Sequence, residues 1–123
     1  MIRKKVFVFF TTLTLAACNG TINEDNVILI NAFHVSPGQE EAALAAWRKA
    51  RDFLKDQPGY LDTRLHQNID RQGEFYFVNV ARWRSAADFH AAVARMRTAL
   101  PDNRVPGVSA HPGLFRMIPE ESQ

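Results

Sequence analysis

The chain holds one cysteine, Cys18, among 123 residues. A single thiol excludes an intrachain disulfide and any zinc or iron–sulfur site built from several cysteines. No apolar run is long enough to cross a bilayer. The stretch VFVFFTTLTLAA, residues 6–17, has twelve residues, and a spanning helix needs about 20. A dense basic stripe is also missing. Fifteen basic side chains face thirteen acidic ones, and Arg3, Lys4 and Lys5 account for the excess. Without those three, twelve basic residues remain against thirteen acidic ones. The basic balance therefore gives no footprint for nucleic acid. There is no internal repeat and no low-complexity segment.

What is present begins with an ordered leader. MIRKK is positive, residues 6–17 are uncharged, and small residues follow. That order is the order of a secretory signal. Leu15-Ala16-Ala17-Cys18 resembles the bacterial lipobox, in which cleavage falls just before an acylated cysteine. The resemblance implies a lipoprotein signal at 1–17 and a lipidated Cys18; the simpler alternative is an ordinary secretory signal with a chance cysteine. No folded scaffold surrounds Cys18 to lower its pKa, which argues against a catalytic thiol. Residues 19–26, NGTINEDN, are polar and cannot build an element, so 18–26 is expected to be a tether. Eight extended residues reach roughly 26 Å at about 3.3 Å each. Asn19 after the cysteine, by resemblance to enterobacterial sorting, favours a lipid anchor on the periplasmic face of the outer membrane.

Residues 27–118 have the pattern of one domain, followed by a tail at 119–123. VILINAFHV (27–35) is β-branched and aromatic, with apolar residues at both parities, which predicts a strand covered on both faces. EEAALAAWRKARDFLKDQ (40–57) places Ala43, Trp47, Ala50 and Leu54 at helical spacing, and Pro58-Gly59 ends it. YLDTRLHQNI (60–69) alternates as a half-exposed strand, with Tyr60, Asp62, Arg64 and His66 on one side. DRQG turns the chain into a second strand, EFYFVNVARW (74–83), and the pair is expected to form a hairpin. In that strand Phe75, Phe77, Ala81 and Trp83 share one face, with Tyr76, Val78 and Val80 on the other. Ser85-Ala86-Ala87-Asp88 is a capping-box-like start. Phe89, Ala92, Val93, Met96 and Leu100 then follow on one helical face. The stretch 101–113 is rich in proline and glycine, which predicts an irregular connection. LFRMI (114–118) is expected to be the last strand.

The order βαββαβ predicts an α+β, ferredoxin-like fold: a four-stranded antiparallel sheet with both helices on one face. Strands one and three are apolar on both faces, so two helices on one side leave a sticky face on the other. Packing against a second copy by two-fold symmetry covers it. A homodimer through the sheet faces is therefore expected.

Four pieces of sequence carry a resemblance: INAFHVSPGQEE, QPGYLDTRLHQN, FVNVARWRSAADFHAAV and SAHPGLFRMI. Over about residues 27–118 they resemble the antibiotic biosynthesis monooxygenase family of the dimeric α+β barrel group. That group includes cofactor-free quinol and anthrone oxygenases, haem-degrading monooxygenases and members without established activity. In cofactor-free members a phenolic substrate loses a proton, and its anion gives an electron directly to dioxygen. The resemblance thus implies a small aromatic or quinol-type substrate, dioxygen as partner, and no metal, flavin or other cofactor. The chemistry asks for an aromatic pocket between sheet and helices, preplaced donors for the oxyanion, and a proton acceptor.

Asn31 is the first candidate for such a site. A carboxamide inside VILINAFHV costs free energy unless it is paired, and it matches the strand-one Asn of several members. A bond to a neighbouring side chain or water would explain it equally. Trp83 matches the W-x-S that ends strand three; it is read either as pocket lining or as plain core. Trp47, Phe77 and Phe89 are the candidate substrate-binding aromatics, with a core role as the alternative for Trp47 and Phe89. His90 is the candidate base, with a solvent-facing role as its alternative. Many members carry a helix-two His two positions further on, where this chain has Ala92. His34, His66 and His111 lie on strands or in the connection. No pair of histidines has ligand spacing with a carboxylate, so no metal site is expected. Haem-degrading members have a ligating His about ten residues beyond Ala92; here the sequence is Leu100-Pro101-Asp102-Asn103.

Two functions fit this pattern. One is a membrane-tethered, cofactor-independent monooxygenase. The other is a non-catalytic periplasmic small-ligand-binding or stress-response module of the same fold.

Overall fold

The computed structural model describes residues 26–120. The expectations for the leader 1–17, for Cys18 and for the tether through residue 25 lie outside the described residues, as do 121–123 of the tail. Six elements follow in order: β1 (Val27–Val35), α1 (Glu40–Leu54), β2 (Tyr60–Gln67), β3 (Phe77–Trp83), α2 (Ala86–Ala99) and β4 (Val108–Phe115). The sheet order is β2-β3-β1-β4 and every pairing is antiparallel. With both helices on one face, this is the ferredoxin-like βαββαβ arrangement of the dimeric α+β barrel group.

Alternation decides which side chains meet the helices. Val27, Leu29, Phe77, Ala81 and Trp83 are buried on the inner face. Phe89 and Ala92 of α2 close over the end formed by Val27, Leu29, Ala81 and Trp83, and Leu54 of α1 and Tyr60 pack at its margin. Tyr60, Trp83 and Phe89 form an edge-to-face ladder, each step 5.5 Å between ring centroids, a geometry that aligns ring edges with ring faces. Ser85 caps α2 by accepting from the Asp88 backbone N–H at 3.1 Å, as the capping-box-like start leads one to expect. Gly59 makes the turn between α1 and β2 with a positive φ of 87°, and a Cβ there would overlap the Asp88 side chain. That turn therefore sits directly against the start of α2.

Four details differ from the sequence expectation. Helix α1 stops at Leu54 rather than residue 57: Lys55 still donates to the Arg51 carbonyl, and the chain then closes a tighter turn from the Gln57 N–H to the Leu54 carbonyl at 3.0 Å. A register shift between Tyr60 and Asp62 moves Tyr60 to the inner face beside Trp83 and leaves Leu61 exposed. Strict alternation had put Tyr60 beside Asp62; a bulge breaks it. The start of β3 at Phe77 follows a bend at Tyr76, whose N–H donates to the Phe33 carbonyl at 2.9 Å. The bend exchanges two neighbours: Tyr76 turns to the α1 side with Phe77, and Phe75 meets His111, 5.3 Å between centroids, on the open face. Finally, β4 starts at Val108, inside the segment expected to be irregular, and ends at Phe115. It is an edge strand, so Pro112 can sit in it without an N–H to give.

Candidate active site

The inner sheet face is built in rows set by the strand register. Thr63, Ala81, Leu29 and Leu114 form one row. The next is Leu65, Asn79, Asn31 and Pro112; beyond it lie Gln67, Phe77, Phe33 and Ala110. The polarity changes at the middle row. Asn31 and Asn79 are direct cross-strand partners on β1 and β3. Asn79 is buried, and its Oδ1 accepts from the Thr63 hydroxyl at 2.7 Å. The Oδ1 of Asn31 is buried without a hydrogen-bond partner. A buried amide oxygen with no partner costs about 1–3 kcal/mol, which keeps Asn31 a candidate for contact with a bound molecule.

Beside this row lies a cleft of about 490 Å³ under α1. Its floor is Leu65, Gln67 and Phe77, with Tyr76 at the strand end. Its roof is α1, through Glu40, Glu41, Leu44, Trp47, Arg48 and Arg51. Leu65 is the cross-strand partner of Asn79, and Phe77 is its neighbour two residues along the same face, about 7 Å away by strand rise. Through Leu65 the amide row reaches the cleft, with Asn79 one strand and Asn31 two strands behind that wall. The two helices differ in what they bury. Ala43 is the one fully buried residue of α1 among the described ones, whereas α2 buries Phe89 and Ala92.

The sequence candidates divide accordingly. Trp47 and Phe77 line the cleft, and Asn31 stands in the row beside it. Trp83 is 1 % exposed, inside the packed end rather than on the cleft; its Nε1 is buried without a partner. Phe89 is core with it. His90 is exposed on α2, its ring 5.5 Å from that of Phe89, and is not brought to the cleft. The structure adds Asn79, Thr63 and Tyr76. Asn79 was legible as a second amide inside an apolar strand, four residues before Trp83; Tyr76 was hidden by the bend.

None of the four histidines lines this cleft. His34 and His111 project from β1 and β4 to the open sheet face, as does His66 from β2, and His90 faces solvent. A haem held here would find no histidine to ligate its iron. Among the described residues no group of three or more His, Cys, Asp or Glu side chains is placed to hold a metal ion, and no helix is long and apolar enough to cross a membrane.

On the open face, Arg82 Nε donates to Asp62 Oδ2 at 2.8 Å and its Nη2 pairs with the same oxygen. The hydrogen bond from Arg82 holds the Asp62 carboxyl below the usual carboxylate range. Burial, then the Asp62 charge, pushes the Tyr60 phenol up.

The family model of antibiotic biosynthesis monooxygenases matches residues 26–97. Tetracenomycin-F1 monooxygenase of Streptomyces glaucescens is 36 % identical over 74 residues, 59 % of this chain and 63 % of that protein. The chain thus spans under two thirds of the curated relative it matches. A candidate monooxygenase from Shewanella loihica is 44 % identical with a TM-score of 0.70, over 77 % of this chain and 96 % of that one. SnoaB, a cofactor-independent oxygenase from Streptomyces nogalater, shares the fold at 24 % identity and a TM-score of 0.61, over 80 % and 99 % of the two chains.

Proposed function

The chain belongs to the antibiotic biosynthesis monooxygenase family, and from that premise we propose that it is a cofactor-independent monooxygenase of a small aromatic, quinol- or anthrone-type substrate. The observation that carries this reading is the pair of interior amides, Asn31 and Asn79, beside an aromatic cleft. A flat ring fits between Trp47 on α1 and Phe77 on β3. The substrate's phenol or enol gives up its proton, and the anion passes one electron to dioxygen. The two radicals join through a new carbon–oxygen bond. Loss of water from the resulting hydroperoxide leaves a carbonyl, with one oxygen atom in the product and the other in water. The amide N–H groups of the Asn row stabilise the oxyanion, and preplaced donors of this kind are worth about 10²–10³ in rate. Glu40 and Glu41 are the carboxylates on the cleft and take the proton role for which the sequence suggested His90.

The test is oxygen consumption by purified protein, without added flavin or metal, on a panel of hydroquinones and anthrones. Asn31→Ala and Asn79→Ala should each slow it by about 100-fold or more. An inert panel, with no bound compound in the purified protein, would sink the reading. A non-catalytic binding module is the second reading, favoured by the absence of a histidine from the cleft. A hydrophobic ligand retained in native mass spectrometry without turnover would support it.

The same reading includes a homodimer. Ile28, Ile30, Val78 and Val80 give the open sheet face an apolar centre, and Phe115 is 51 % exposed at its edge. Beyond β4 the chain carries Met117 and Ile118, the latter 83 % exposed. An apolar arm continuous with an apolar face suits a second copy, which presents the same face by two-fold symmetry. Sedimentation at micromolar concentration should give twice the chain mass. The lipid anchor at Cys18 is proposed on the sequence alone; labelling of intact cells with a fatty-acid analogue should mark the wild type and not Cys18→Ser.

A further inference from the structure

We propose that the Arg48 end of the α1 cleft reads an anionic substituent, so that the preferred ligand is an aromatic hydroquinone carrying a carboxylate. The proposal rests on the cleft being the substrate site. The two ends of the cleft differ in charge. Glu40 and Glu41 stand in the first turn of α1, and Arg48 and Arg51 two to three turns later, about 10 Å along the helix axis from Glu41 to Arg48. Arg51 is already engaged. Its Nη2 pairs with Asp52 at 3.0 Å, and its guanidinium lies 5.2 Å from the centre of the Trp47 ring. Arg48 takes part in none of the ion pairs among the described residues, although it lines the cleft one turn from Arg51. Helix polarity does not account for it. Arg48 is six residues from the helix end at Leu54, and the dipole's attraction for cations is confined to the last turn.

An anion at that end gains a guanidinium whose planar fork matches a carboxylate, and it escapes repulsion from Glu40 and Glu41. This polarity selects one orientation. The carboxylate lies at Arg48, the ring lies against Trp47 and Phe77, the hydroxyl ortho to the carboxylate faces the Asn79 row, and the second hydroxyl points to the Gln67 end, where Glu40 stands. Arg51 acts as a positioning residue, fixing the Trp47 ring on which the ligand stacks.

The experiment compares 1,4-dihydroxy-2-naphthoate with naphthalene-1,4-diol by calorimetric titration of the full chain under anaerobic conditions. The carboxylate probe should bind at least about 10-fold tighter at low salt, the range of a charge-assisted hydrogen bond. The gap should shrink in Arg48→Gln and in 0.5 M salt, as for partly exposed charges. Glu41→Gln, which removes a repulsive charge, should tighten the carboxylate probe. Equal affinities for the two probes, no binding of either, or a preference that survives Arg48→Gln would overturn the proposal. Aerobic oxygen uptake separates the two claims. A carboxylate preference without uptake leaves the anion site standing and removes the enzyme; uptake on both probes alike, unaffected by Arg48→Gln, does the reverse. Melting curves confirm that each variant is folded.

Discussion

Two ends of the same inner sheet face have opposite characters. Under α2, Val27, Leu29, Ala81 and Trp83 pack with Phe89 and Ala92 in one buried cluster. Under α1, one row further along the same strands, the face carries Asn31 and Asn79 and then opens into a cleft. The bulge at Tyr60 and the bend at Tyr76 decide which rings reach each end, and the helices differ in how they fill it. Helix α2 inserts a large ring and a flush alanine at its buried positions. Helix α1 buries only Ala43 among the described residues and holds Trp47 at half depth. A single pleat repeat, about 7 Å, is enough to pass from core to candidate site.

The largest effects should separate the two ends. Trp83→Ala removes a ring that is 1 % exposed and should cost about 3–5 kcal/mol, read as a fall in the denaturant midpoint. Trp47→Ala, at the half-buried roof of the cleft, should cost about 1 kcal/mol or less in stability while abolishing most ligand binding. Equal stability losses would dissolve the distinction. Asn79→Leu probes the boundary row. It replaces a buried amide by an apolar side chain of similar size but leaves the Thr63 hydroxyl without its acceptor. Asn79→Leu with Thr63→Val removes both partners and should keep stability within about 1 kcal/mol of wild type, with oxygen uptake lost. A double variant that keeps its activity would take the amide row out of the site.

Gly59→Ala tests how the α1–β2 turn serves the packed end. The positive φ and the overlap with Asp88 should together cost more than about 1 kcal/mol, and the loss should be smaller when Gly59→Ala is introduced into Asp88→Gly, which removes the overlapping Cβ. The smallest effect concerns the open face. The Asp62 carboxyl is depressed by Arg82, so its contribution to stability is present above the ordinary carboxylate pKa and is lost as pH falls through the lower folded value. Because both side chains are about half exposed, the effect in an isolated subunit should be slight. The midpoint difference between wild type and Asp62→Asn should narrow on acidification from pH 7 to pH 3. If the open face is buried in a dimer, the difference should also grow with protein concentration.

Much of this architecture was legible in the residues. The period of Ala43, Trp47, Ala50 and Leu54 gave α1, the serine before a helical stripe gave the start of α2, and the apolar strands gave a four-stranded sheet. Asn31 stood out as an amide among branched residues, and Trp47 and Phe77 as aromatics facing inward. What was not legible lay where alternation breaks. The bulge at Tyr60 and the bend at Tyr76 each move a ring to the other face, and no local pattern announces a one-residue slip. Pro112 hid β4 because proline argues against a strand until the strand is known to be an edge.

The element order, the two helix faces and the family are written in the residues, because periodicity and turn residues act over a few neighbours. Which of those inward residues form a core and which lie by a cleft is fixed by the folded chain. That outcome depends on how deeply each helix seats on the sheet, and on a register that pairs Asn31 with Asn79 across 48 residues of chain. Burial, cross-strand pairing and the polarity of the cleft are properties of residues distant in sequence, and they exist only once the sheet has closed.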